Sequence, residues 1–493
     1  MKGEIAKGAA WMVLFRLFDR SIGLVSTAVL ARLLLPADFG LVAMAMSVIA
    51  LIELATAFSF ELALIQKKDP QREHYDSAWT LNIIVAVGGG IVTAAVALPA
   101  ANFYGDPRLT PVMFAIGAAW LVSGFENIGT VNFRRDMDFA AEFRLLATKR
   151  VISFLVTMVA AVTFRSYWSL VIGMATGRVT GVILSYVLQP FRPRLSLGRA
   201  RELFSFSGWM LVSNLATVLL SRVPHIYVGR MFGAQTLGAY TVGSEIAQLA
   251  HTELVAPINR AMFPGYSRLV GDLALFRRTA VDATAAILLV VMPVSVGVAV
   301  LAAQVVRILL GAQWPEAAPV IEVLAFSGAV SALTSNNMSA YQALGRPHLC
   351  TVTLLARLVL VVGMMLFLGS SLGVLGVAYA ELIAALGSLA VSVPILSRTL
   401  QMPLREYWSC LWRPTIASGL MGAVIYFQMP HGLGELSFAQ AVSQLVVGVV
   451  LGVLTYPVFV WLLWWLSGKP ESVEVLITRR LLLPALGKLR GAK

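Results

Sequence analysis

The stretch WMVLFRLFDRSIGLVSTAVLARLLL (residues 11–35) is apolar for most of its length, yet it carries Arg16, Asp19, Arg20 and Arg32. A helix crosses the hydrocarbon of a bilayer in about 20 mainly apolar residues, so this run is long enough. The apolar core of a cleaved secretory signal is shorter, roughly 7–15 residues, and does not carry such charges. The run is therefore read as a retained first membrane span. Each charge near the bilayer centre costs about 2.5–3.5 kcal/mol on insertion scales, which raises the question of what these side chains face.

Helix positions 3, 4, 7 and 11 apart share a face. Arg16, Asp19, Arg20, Gly23 and Thr27 accordingly form one polar stripe. Arg20 lies about 13 Å along the helix from Trp11 at 1.5 Å per residue, too deep to reach the inner surface easily. A hydrated cavity beside the stripe is the less costly solution. The alternative is a structural ion pair in which Asp19 neutralises one arginine while the other snorkels to the surface.

Outward from this stretch the chain keeps the same character. Of its 493 residues 58% are hydrophobic and 13% charged, with a mean hydropathy of +0.80; soluble domains are about 25% charged. The expected fold is an all-α integral membrane protein of about fourteen transmembrane helices. They fall near 11–34, 40–65, 77–101, 109–131, 145–164, 168–189, 206–228, 237–263, 280–303, 317–343, 349–369, 373–397, 412–428 and 439–466.

The net charge of +13 is unevenly spread. With the N-terminus inside, most lysines and arginines fall in inward loops and termini, among them Lys67, Lys68, Arg72, Arg134, Arg135, Arg277 and Arg278. This is the positive-inside pattern, and it places both termini in the cytoplasm. It also explains the basicity without a nucleic-acid partner. The two cysteines, Cys350 and Cys410, lie in or beside apolar segments and read as small reduced core residues.

The two halves align at an offset of 198 residues. ARLLLPADFG (31–40) falls without a gap on GRMFGAQTLG (229–238), Trp11 on Trp209, Arg32 on Arg230 and Gly40 on Gly238. A weaker match sets YWSLVIGMA (167–175) against GVLGVAYAE (373–381). Six spans thus repeat, and because six is even the copies enter the membrane in the same direction, related by an axis along its normal. The expected organisation is a six-helix lobe over 1–190, a cytoplasmic linker over 191–205, a second six-helix lobe over 206–400, two additional helices over 401–467, and a basic tail over 468–493 suited to the inner leaflet.

Under this offset stripe positions 16, 19, 23 and 27 become Asn214, Thr217, Ser221 and His225, with Arg222 and Pro224 beside them. The proline should kink the seventh span. Other ionisable residues inside spans include Glu53, Glu126, Arg178, Glu245, His251, Glu322, Arg357 and Glu381. Positions 53 and 251 correspond under the repeat, which makes Glu53 and His251, with Asp19 and Glu245, candidates for Na⁺ or H⁺ coupling. A helix-to-helix hydrogen bond is the structural alternative for each. No GxxxxGK[ST], HExxH or zinc-spaced cluster occurs; the DxD of Asp136 and Asp138 reads as a helix-capping inner loop rather than a sugar-transferase motif. No cofactor is expected.

ARLLLPADFGLVAMA (31–45), SAWTLNIIVAV (77–87), RRDMDF (134–139) and FSFSGW (204–209) together resemble the Wzx-type polysaccharide flippases of the MOP exporter superfamily, over essentially the whole chain. The resemblance implies a two-lobed helical bundle in a bacterial inner membrane. It would carry undecaprenyl-diphosphate-linked oligosaccharide from the inner to the outer leaflet, alongside a polymerase and other assembly proteins. The stripe argument, separately, assigns Arg16, Arg20 and Arg222 to the diphosphate, with Arg178 and Arg357 as second choices, and Asn214, Thr217 and Ser221 to the sugars. A multidrug cation exporter of the same superfamily is one alternative; two arginines against one aspartate on the first span weigh against it. A membrane polysaccharide polymerase or ligase is another, and the outward loops are too short for the domain it would use.

Overall fold

The computed structural model describes residues 2–55, 60–67, 69–204, 210–429 and 437–468, with some side chains in these ranges, Asn214 among them, left undescribed. Lys68, Trp209, most of FSFSGW and the basic tail lie outside the described residues.

Among the described residues seventeen α-helices run in chain order: α1 (Lys2–Leu33), α2 (Pro36–Ala55), α3 (Phe60–Gln66), α4 (Arg72–Tyr104), α5 (Leu109–Ser123), α6 (Val131–Arg135), α7 (Phe139–Phe164), α8 (Trp168–Leu188) and α9 (Ala200–Phe204) come first. Then follow α10 (Met210–Ala247), α11 (Ala256–Arg268), α12 (Leu273–Val300), α13 (Ala302–Leu309), α14 (Ala317–Ala343), α15 (Pro347–Thr399), α16 (Leu404–Gln428) and α17 (Phe438–Leu466). Among the described residues eight helices are long and apolar enough to cross a membrane, or nine if one bent pair counts as a single span. The expected count of about fourteen is therefore not reproduced by length and composition alone. The reasons are local. The charges of α1 interrupt its apolar run, and α15 carries two expected spans in one helix. In α15 the helical geometry breaks at Gly373 (φ 63°, ψ −142°), and in α10 at Gly233 (φ 79°, ψ −178°). Pro224 sits inside α10. Glycine is the residue that adopts such a positive φ without a Cβ penalty.

The chain forms two compact units, one of residues 1–241 with 309–313, the other of residues 242–308 with 314–493. In the first unit α7 lies between α1 and α8, while α5 packs on α4 and α8 and α2 on α4 and α5. Each start is set locally. Pro36 opens α2, where Asp38 accepts the Leu35 N–H at 2.9 Å and, from across the unit, the Tyr167 N–H at 3.0 Å. Asp138 accepts the Ala141 N–H at 3.0 Å and caps α7, the helix-capping role expected of that DxD.

The fourth expected span is broken. α5 and the stretch Ile128–Arg135 meet at 68°, and buried Asn127 fills the break: it accepts the Gly129 N–H at 3.0 Å and donates to the Phe191 carbonyl at 2.7 Å. The segment that follows α8 is fastened along the start of α4. Backbone N–H groups of Arg194, Ser196 and Arg199 donate to Asp76 (2.9 Å), Thr80 (2.9 Å) and Ser77 (3.1 Å). Glu202 then accepts from Lys67 at 2.6 Å and Arg199 at 2.8 Å, with His74 at 3.3 Å. The expected linker is thus a strap along one helix end as far as α9.

In the second unit α14 packs against α12 and α15, and α16 against α12 and α17. Between them lies a buried polar network. Tyr266 donates to Asn336 (3.0 Å) and Asn336 to Thr284 (3.0 Å); Tyr407 donates to Asn337 (3.3 Å) and Asn337 to Ser392 (2.8 Å). Apolar association between helices is weak in lipid, so such bonds, each worth about 0.6–2 kcal/mol, hold the helices in register.

Candidate substrate-binding site

The polar stripe of α1 is half-buried at Arg16, Asp19, Arg20, Gly23 and Thr27, while exposed Leu14, Leu17, Ser21, Leu24 and Val25 fall on the opposite face. The apolar side is thus turned outward, as a lipid-facing side should be, and the charges are turned toward the bundle. What meets them is α7. Trp11, Phe15 and Phe18 surround Phe143 with ring centroids 5.0–6.2 Å apart. One turn further along, Asp19 Oδ1 pairs with Arg150 Nε at 2.9 Å. The ion pair weighed at the sequence level as an internal neutralisation of α1 is therefore made with a third arginine on another helix.

Arg150 and Lys149 are the residues that sequence reasoning missed. A Cβ on Gly23 would lie 3.3 Å from Arg150 Nη2, and a Cβ on Gly181 of α8 only 2.8 Å from Lys149 Nζ. Each cationic head is therefore seated on a glycine of a neighbouring helix, one on each side of α7. The same face of α8 continues through Gly177, beside Ser153, and Gly173, whose carbonyl accepts from Ser153 Oγ at 2.8 Å. The four-residue spacing of glycines 173, 177 and 181 is the sequence signal for close helix approach that would have pointed here.

Next to this face Arg178 of α8 pairs with Glu53 of α2 at 3.4 Å, so a second-choice phosphate contact and an ion-coupling candidate are partners. Polar contacts thus join α1 to α7, and α8 to α2. The α1 and α7 part holds Arg16, Arg20, Lys149 and Arg150 with Asp19 as the acidic member, an arrangement suited to a multiply charged anion.

The counterparts from the second repeat are arranged otherwise. Thr217 and Ser221 are exposed, Ser221 Oγ donating back to the Val218 carbonyl at 2.9 Å, and Arg222 is half-buried. The Asn214 side chain lies outside the described residues. In the second unit Glu245 is exposed. His251 opens a π-helical turn, His251–Val255, a feature frequent at functional sites. Its charged neighbour is Arg357, whose own is Glu381. A separate cavity of about 180 Å³ sits at the break after α5, with Glu61, Asn82, Trp120, Ser123, Glu126 and Thr130 on its wall. It does not include the arginines.

Residues 29–319 match the model of a family described as polysaccharide biosynthesis protein. The chain belongs to that family. Its curated relatives are named for polysaccharide biosynthesis and transport. Among those relatives, the succinoglycan biosynthesis transport protein ExoT of Rhizobium meliloti is 23% identical over 93% of each chain. The lipopolysaccharide biosynthesis protein WzxC of Escherichia coli is 22% identical over 84% of this chain and 85% of its own. The fold is shared with the lipid II flippase MurJ in an inward closed conformation (TM-score 0.74, 12% identity, 92% of this chain and 99% of that one). It is also shared with an inward-facing MATE family multidrug transporter (TM-score 0.60, 15% identity, 78% and 95%).

Proposed function

We propose that this flippase moves an undecaprenyl-diphosphate-linked oligosaccharide from the inner to the outer leaflet of a bacterial inner membrane, with both termini cytoplasmic. The observation that carries the reading is the basic layer on α1 and α7, turned into a bundle whose outer face is apolar. A diphosphate bearing sugars cannot cross some 30 Å of hydrocarbon unaided. Guanidinium groups replace its lost hydration by charge-assisted, bidentate hydrogen bonds, while the polyprenyl tail remains among lipids. Arg16, Arg20 and Arg222 are the proposed diphosphate contacts, with Arg178 and Arg357 as second choices, and Thr217, Ser221 and Asn214 serve the sugars. Transport proceeds by alternating access, with Asp19, Glu53, Glu245 and His251 as the groups through which Na⁺ or H⁺ couples. The delivered glycan passes to a polymerase and the other proteins of polysaccharide assembly.

The test is reconstitution. Proteoliposomes holding wild-type protein should render lipid-linked oligosaccharide accessible to an enzyme added on the opposite side, and Arg20→Ala should abolish this while inserting normally. Uptake of a cationic dye with no movement of the glycolipid would overturn the reading in favour of a multidrug exporter.

A further inference from the structure

The α1–α7–α8 arrangement carries an assignment beyond the arginines of the first span. We propose that Lys149 and Arg150 form a second half of the anion site, a two-cation clamp for the diphosphate of a polyprenyl diphosphate, and that Asp19 is a positioning residue that orients Arg150. The assignment rests on the proposed function above and deepens it.

Lys149 and Arg150 are consecutive on α7, about 100° apart in helical projection. Lys149 Nζ lies against Gly181 of α8, and Arg150 lies against Gly23 and Asp19 of α1, so the two heads sit on the two sides of α7. A Cβ at Gly181 or Gly23 would come 2.8 or 3.3 Å from these heads, so the glycines give the two cations their close seats. Among the described residues Lys149 has no carboxylate partner. Arg150 has one, through Nε. That 2.9 Å contact is an ion pair without hydrogen-bond geometry, Nε being buried and making no hydrogen bond. Asp19 thus holds the guanidinium by charge, and the Nη edge carries the forked donors that suit a phosphate. The pair is also accessible, with side-chain exposures of 39% for Arg150 and 46% for Asp19.

Binding to purified protein in detergent distinguishes the inference from the reading beneath it. The probes are undecaprenyl diphosphate, undecaprenol, phosphatidylglycerol and inorganic pyrophosphate. Wild-type protein should prefer undecaprenyl diphosphate to undecaprenol, with affinity falling as salt rises. Lys149→Gln and Arg150→Gln should each weaken diphosphate binding on the order of tenfold, as expected for a charged hydrogen bond, and flatten the salt dependence. Asp19→Asn should weaken it less.

Because a charge deletion can disturb folding, Lys149→Cys supplies a second measurement: binding should be lost and regained on aminoethylation of the thiol, and not regained with an anionic reagent. Native Cys350 and Cys410 are buried and should not react. No preference for diphosphate in the wild type would overturn the proposed function itself. Diphosphate binding unchanged in Lys149→Gln and Arg150→Gln would overturn the clamp alone. Equal competition by phosphatidylglycerol or pyrophosphate would reduce it to a general anion patch, and so would also overturn it.

Discussion

Gly40 and Gly238 exchange contacts across the two copies of the repeated motif. A Cβ on Gly40 would lie 1.7 Å from the Ala234 carbonyl oxygen, and a Cβ on Gly238 would lie 1.8 Å from the Pro36 carbonyl oxygen. Positions 36 and 234, and 40 and 238, are the same pairs that the offset of 198 aligns. The motif copies therefore cross with the reciprocal contacts of a local two-fold axis, inside the first unit. Arg230 of the second copy adds a cation–π contact with Phe103 at 5.5 Å.

The atoms met at this crossing are backbone carbonyls, which cannot swing aside. Gly40→Ala and Gly238→Ala should each destabilise the protein by roughly 1–3 kcal/mol, the ordinary range for overpacking, and by similar amounts because the contact is reciprocal. Thermal unfolding in detergent measures this; a wild-type melting curve for either variant would contradict the close crossing.

The Glu53–Arg178 pair is partly exposed, so its worth is small, about 1 kcal/mol or less. Glu53→Arg should nevertheless lower stability by placing two arginines together, and the added change Arg178→Glu should restore most of the loss. A double variant no better than Glu53→Arg would mean that the two side chains are not partners in the membrane.

Asn337 ties α14 to α15 and α16 through Ser392 and Tyr407. Asn337→Leu keeps the branched shape but strands two buried polar groups, which costs about 1–3 kcal/mol for each. The variant should unfold at lower temperature than wild type and expose the buried Cys410 to thiol reagents sooner.

The strap has a pH dependence of known sign. Lys67 foremost, then Arg199 and His74, hold the Glu202 carboxyl down to about 2 from its usual 4.5. A depressed carboxyl contributes its stability above the unfolded value and loses it as pH falls from about 4.5 toward about 2. Wild type should therefore be more stable than Glu202→Gln at pH 6, and the two melting curves should converge below about pH 4.5. A constant gap down to pH 3 would show that the contacts of Glu202 act without its charge.

Much of this protein was legible in its chain. The apolar runs gave the all-helical membrane class, because a bilayer demands internally satisfied backbone over a fixed length. The repeat motif, the capping role of Asp138 and the existence of a polar stripe on the first span could also be read directly, since each depends on local spacing. What the stripe faces could not be read. Arg150 lies more than a hundred positions beyond Asp19 in the chain, and basic residues near the start of a span look like ordinary interface anchors. Nor did hydropathy show that the fourth span breaks, because the break at Asn127 is made by hydrogen bonds and packing rather than by polarity.

The sequence by itself thus determined that charges are buried on a membrane helix, since periodicity puts them on one face whatever surrounds it. Only the tertiary structure decided which groups answer them. Partners on α7 and α8 are brought to α1 by the glycine spacings that let backbones approach, and that choice depends on how separate helices pack, which no local pattern encodes.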